Sequence, residues 1–160
     1  MMRSGLTIRA TTVIVAVSFS FATGCGAARA ACGSPVREPL DPNHLLHVTD
    51  PAVARYQTDP PTSGAHLGTP GPEGLVATPL LPAVQVTILE RGDVLVQYRD
   101  PTDAAALASL VRNRVVVAPQ PSLPARVVVT AWTYKLSCSA ADAKALTKFA
   151  EAHAGKPLEH

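Results

Sequence analysis

Proline divides this chain into two regimes. The sequence carries 15 prolines in 160 residues, and Pro60, Pro61, Pro70, Pro72, Pro79 and Pro82 fall between residues 44 and 82. Each proline removes a backbone donor and fixes its own φ, so regular elements cannot run through this stretch. It reads as a long, irregular but ordered loop, of the kind that in a compact domain serves a function. From Val84 onward the pattern becomes periodic. Val84, Val86 and Ile88 alternate with polar neighbours, as do Val94, Val96 and Tyr98, with Arg91-Gly92 between them. This predicts a β-hairpin with Gly in its turn.

The rest of the second half reads in the same way. Thr102 is placed to cap a helix over residues 103–111 with Ala106, Leu107, Leu110 and Val111 on one face. Residues 114–118 and 126–134 are β-branched runs, the second holding Trp132, a core residue. Ser139 to Asp142 resembles a capping box. Leu146, Phe149, Ala150 and His153 then share a helical face that Gly155 and Pro157 terminate. Four strands and two helices after an irregular first half predict a single α+β domain: a mostly antiparallel sheet, two helices packed on one face, and a long Pro/Gly-rich ordered loop. Apolar residues at 47% and charged residues at 16% support a folded chain, and aromatics at only 4% leave the core to Val, Leu and Ala.

The amino terminus reads as an address. Residues 1–9 hold Arg3, Arg9 and no acid, residues 10–22 hold no charge, and Thr23, Gly24 and Cys25 follow. A basic start, a short apolar run and small residues form the plan of a secretory signal, here residues 1–24. Ala22-Thr23-Gly24-Cys25 is similar to a bacterial lipobox, which implies diacylation of Cys25, a membrane held through that anchor, and an extracytoplasmic protein. Cleavage after Ala28-Arg29-Ala30, giving a secreted protein, and an uncleaved anchor are the alternatives. Residues 25–43, small, polar and Pro-containing, read as a lipid-anchored tether. Without Arg3 and Arg9, Lys+Arg falls from 14 to 12 and equals Asp+Glu at 12, which removes the basic footprint a nucleic-acid partner requires. With Cys25 lipidated, Cys32 and Cys138 remain as an even pair. In an oxidising compartment they form a disulfide, worth about 4 to 5 kcal/mol by chain entropy, or stay as two buried thiols.

Tyr56-Gln-Thr-Asp-Pro-Pro-Thr-Ser-Gly-Ala-His66 resembles the signature of a bacterial family, domain of unknown function 3105 (DUF3105). His47-Val48 before it, Gly74 after it, and Thr87-Ile-Leu-Glu-Arg-Gly92 match further parts of the pattern, as do Pro119, Ala131-Trp132, Cys138 and a helix holding Phe149. The resemblance covers roughly residues 45 to 158, within an expected domain of residues 44–160. It implies a secreted or lipid-anchored protein and brings no established activity. Where the family pattern has two histidines, this chain has Thr87 and Arg91. The pattern's histidines imply a metal site, of which His47, His66 and Glu90 remain here as candidate copper or zinc ligands.

The residues thus predict a non-catalytic binding or scaffolding domain with an envelope protein as partner. Its surface would be the 56–82 loop near Glu90, with His47, Tyr56, Ser63, His66 and Glu90 as candidate binding residues. The alternative is a metal-binding or metal-dependent redox domain using His47, His66 and Glu90. A hydrolase built on Ser63 and His66 lacks the G-x-S-x-G elbow and an evident acid. Arg91-Gly92-Asp93, an adhesion-like tripeptide, falls at the expected hairpin tip.

Overall fold

The computed structural model describes residues 30–156 and 158. The signal segment, the lipobox and Cys25 lie outside the described residues. The centre of the fold is a five-stranded sheet in the order β1 (Val36–Arg37), β7 (Tyr134–Cys138), β6 (Val127–Ala131), β4 (Val94–Tyr98), β5 (Val115–Pro119). Three neighbouring pairs are antiparallel. β4 and β5 are parallel and joined through a 3-10 turn (Pro101–Asp103) and α2 (Ala104–Ala108). The architecture is the expected α+β domain with a mostly antiparallel sheet. A second, two-stranded parallel pair joins β2 (His47–Val48) to β3 (His66–Leu67).

Both faces of the sheet are covered. Val94, Val96, Val117, Val127 and Val129 face Leu107 and Leu110 at α2, and Leu146, Phe149 and Ala150 of α3 (Ala143–His153). The alternate residues Leu95, Val116 and Ala118 face α1 (Pro82–Glu90), where Val86, Ile88 and Leu89 meet Trp132 and Leu80. Two helices lie on one face, as the sequence predicts, and a third closes the other.

That third helix replaces the expected first strand of a hairpin. The alternation of Val84, Val86 and Ile88 is real but misleading. Ala83 and every residue from Gln85 to Leu89 are buried, and a helix buried all round shows no 3.6-residue stripe. Its β-branched residues then mimic a strand. Pro82, in the first turn, was the available signal, since its missing N–H has no intrahelical partner there. Arg91-Gly92 is therefore the exit of α1, not a hairpin tip. Asp93 is buried and paired with Arg91, so the tripeptide is part of the packing.

The single strand expected over 126–134 is instead the start of a β6–β7 hairpin, turning at Trp132-Thr133 with Thr133 at φ 60°. That dipeptide carries no Gly, Asn or Asp to mark the turn. Asp100, not Thr102, accepts the capping hydrogen bond of the 3-10 turn, and Asp142 caps α3 by accepting from the Ala145 amide. The Asp59–Pro60 peptide is cis.

The expected tether lies partly inside the domain. Within residues 30–43, β1 extends the sheet, Asp41 is buried, and Cys32 is disulfide-bonded to Cys138, 106 residues away. On the α1 side of the sheet sit Gln97 and Thr130, both fully buried, and the Thr130 hydroxyl has no hydrogen-bond partner. An unpaired buried hydroxyl costs about 1 to 3 kcal/mol. Thr130→Val keeps the shape and removes that group, so it should raise the urea unfolding midpoint. A lower midpoint would show that the hydroxyl is satisfied.

Candidate functional site

The signature segment is built inward. Residues 60–66 are all buried, and their polar groups are engaged with the protein itself. The Tyr56 hydroxyl donates to the Ala65 carbonyl at 2.5 Å. Burial, and secondarily the negative charge of Asp41, pushes that phenol up from 10.0 to about 12, so it stays a donor at neutral pH. Gly64 sits at φ 129° under the Tyr56 ring, and a Cβ there would lie 2.9 Å from the ring, so the tight turn requires glycine. The Ser63 hydroxyl accepts from the Asp41 amide at 2.9 Å. His66 Nδ1 faces the Gly64 carbonyl at 3.0 Å. Ser63 and His66 thus each have a local partner, and neither activates the other.

One carboxylate, absent from the sequence-based candidates, gathers this segment. Glu38 accepts from the hydroxyls of Thr58 and Thr62, both at 2.8 Å, and pairs with Lys135 of β7 at 2.7 Å. Its position in an apparent tether hid it. Only its approach to the signature in space gives it meaning. Burial opposes ionisation of Glu38, but the hydrogen bonds from Lys135, Thr58 and Thr62 outweigh it and hold the carboxyl below its usual 4.5.

The remaining candidates meet around a second feature. His47 and His66 are register partners in the β2–β3 pair, and their rings touch edge to face with centroids 4.7 Å apart. His66 is buried and His47 exposed. His47 and Glu90 line a shallow cavity of about 260 Å³ with Gly68, Gly71, Thr87 and Arg91. The structure therefore brings His47, His66 and Glu90 to one region, while Tyr56 and Ser63 lie in the supporting layer. Among the described residues, no three His, Cys, Asp or Glu side chains gather closely enough to hold a metal ion.

Thr87 on α1 and Arg91 at its exit, four residues apart, act as fasteners at the wall of this cavity. The Thr87 hydroxyl donates to the Ala83 carbonyl at 2.7 Å and accepts from the Leu67 amide at 2.9 Å, fixing β3 to the helix. Arg91 directs Nε and Nη2 at the Asp93 carboxylate, Nη2 also at the Pro72 carbonyl, and Nη1 at the Gly71 carbonyl and Glu73. Four hydrogen bonds and the ion pair with Glu73 thus hold its guanidinium. The model of a protein family of unknown function, DUF3105, matches residues 47–160. The chain belongs to the DUF3105 family. No curated protein and no solved structure matches it. In this DUF3105 member, Thr87 is thus a hydroxyl bridge and Arg91 a guanidinium tied to loop carbonyls and carboxylates.

Because the Glu38 carboxyl is held low, its contribution to stability is complete above about pH 4.5 and is lost as pH falls through the lower folded value. Glu38→Ala leaves Lys135 and two hydroxyls without their acceptor and should cost about 3 kcal/mol at pH 7, measured by urea unfolding. The deficit should shrink toward pH 3. A deficit that does not change with pH would remove Glu38 from this role.

Proposed function

We propose that this DUF3105 protein is a non-catalytic binding or scaffolding domain of the cell envelope, exported by its leader and held on the membrane by lipid at Cys25. The observation that carries the non-catalytic reading is the engagement of the signature's polar groups in internal hydrogen bonds, which leaves no activated nucleophile in that segment. A loop of this kind is a rigid support, and what it supports is the exposed segment at Gly68, Thr69 and Pro70, beside His47 and Glu90. Recognition surfaces on pre-ordered loops lose less entropy on binding. Export agrees with the basic-then-apolar leader and with the Cys32–Cys138 disulfide, which suits an oxidising compartment. Two acyl chains give stable membrane attachment where one is marginal.

The reading has two tests. Cys25→Ser should abolish metabolic labelling with palmitate, and label retained on the variant would place the lipid elsewhere. A photo-crosslinking residue at Thr69 should capture an envelope protein in intact cells, while the same residue at Lys144 on α3 should not. Equal capture at both positions would count against a recognition surface at the loop. The second reading, a copper or zinc site of His47, His66 and Glu90, has the contact of the two rings behind it, but Glu90 does not close with them into a three-ligand group. Stoichiometric metal in the purified chain, lost on His66→Ala, would establish it in place of the first.

A further inference from the structure

A charged concavity lies apart from the signature. A cavity of about 460 Å³ opens beside the turn 112–115, lined by Arg91, Arg112, Asn113 and Arg114, with Glu73 and Asp93, over Val115 and Val116. Its volume suits a small molecule. Three arginines face two carboxylates, so the lining has a net positive charge.

The arginines do not play the same part. Arg91 is held by four hydrogen bonds and acts as wall. Asp93 is buried between Arg91 and Arg114, so its charge is already compensated. Glu73, highly exposed, makes a single contact with Arg91 at 3.3 Å. Among the described residues, Arg114 uses one terminal nitrogen, toward the Arg91 carbonyl at 2.9 Å and Asp93 at 3.3 Å. Of its five N–H donors about three remain. Arg112 makes one contact, to the Thr147 carbonyl at 3.3 Å, which leaves about four.

The backbone holds this pair in place. The turn is closed by the Val115 amide donating to the Arg112 carbonyl at 3.0 Å, and Arg114 within it sits at φ 62°. A non-glycine residue in the left-handed region is disfavoured by roughly 1 to 2 kcal/mol, and such conformations concentrate at functional sites. Gly92 and Gly155, both at positive φ, flank the Arg114 side chain. A Cβ at Gly155 would lie 3.2 Å from Arg114 Cδ. Three left-handed residues therefore make room for one guanidinium and fix its direction.

We propose that this cavity binds the phosphate group of a small ligand, with Arg112 and Arg114 as its two forks. The roughly seven remaining donors exceed the four lone-pair sites of a carboxylate, whereas phosphate oxygens around a tetrahedral centre can meet two forks from different directions. The site adjoins the proposed recognition loop, which contributes Glu73 to its lining, and Arg91 lines both cavities.

Inorganic phosphate is the probe, added to the detergent-solubilised full chain at low ionic strength and followed by thermal unfolding. The midpoint should rise saturably with phosphate and not with acetate at matched ionic strength. Arg112→Gln should weaken the apparent affinity by about tenfold or more, as expected for losing charge-assisted hydrogen bonds. Arg55→Gln, an exposed cation elsewhere, should change nothing. Arg114→Gly relieves the backbone and removes the fork, so it should fold and lose the response. The proposal is overturned if phosphate gives no saturable rise, if acetate matches it, or if Arg112→Gln behaves like Arg55→Gln.

Discussion

The structure depends on a sheet that is apolar on both sides. β4, β5 and β6 are buried almost throughout, so a cover on one face alone would leave the other in water. The helices α2 and α3 close one face with residues near them in sequence. The opposite face is closed by α1 with help from Tyr56 and Leu40, which recruits the irregular first half of the chain into the core. Burying that face is what gives the proline-rich half a fixed position.

The irregular half is then ordered by polar contacts in place of ladders. Prolines cannot donate, so its few available groups converge on shared acceptors. Glu38 gathers two threonines and a lysine. Asp41 offers its amide to Ser63 and its carboxylate oxygen to the Asn43 amide. Arg91 ties residues 71–73 to the start of β4. These three points pin a long loop that has almost no secondary structure. They also turn the hydroxyls of Tyr56, Thr58, Thr62 and Ser63 toward partners within the protein.

Much of the second half could be read from the sequence because its covers are amphipathic. Leu146, Phe149 and Ala150 recur at helical spacing, and α3 forms where they predict it. Reading failed at α1, where burial on all sides erased the periodicity, and at Trp132-Thr133, where the turn lacks its usual residues. The family signature was legible as a string of residue types. Its chemistry was not, because the partners of Ser63 and Tyr56 come from Asp41 and Ala65, and the Glu38 hub depends on a residue lying 20 and 24 positions from its threonines. Long-range pairing of this kind leaves no local pattern.

The bond between Cys32 and Cys138 encloses nearly the whole sheet in a covalent ring, with α3 and the upstream chain leaving from its two sulfur-bearing residues. Tension applied between those two ends travels through sulfur and bypasses residues 33–137. The sheet, α1, α2 and both cavities are thereby insulated from mechanical load along the chain, while α3, which lies outside the ring, bears it.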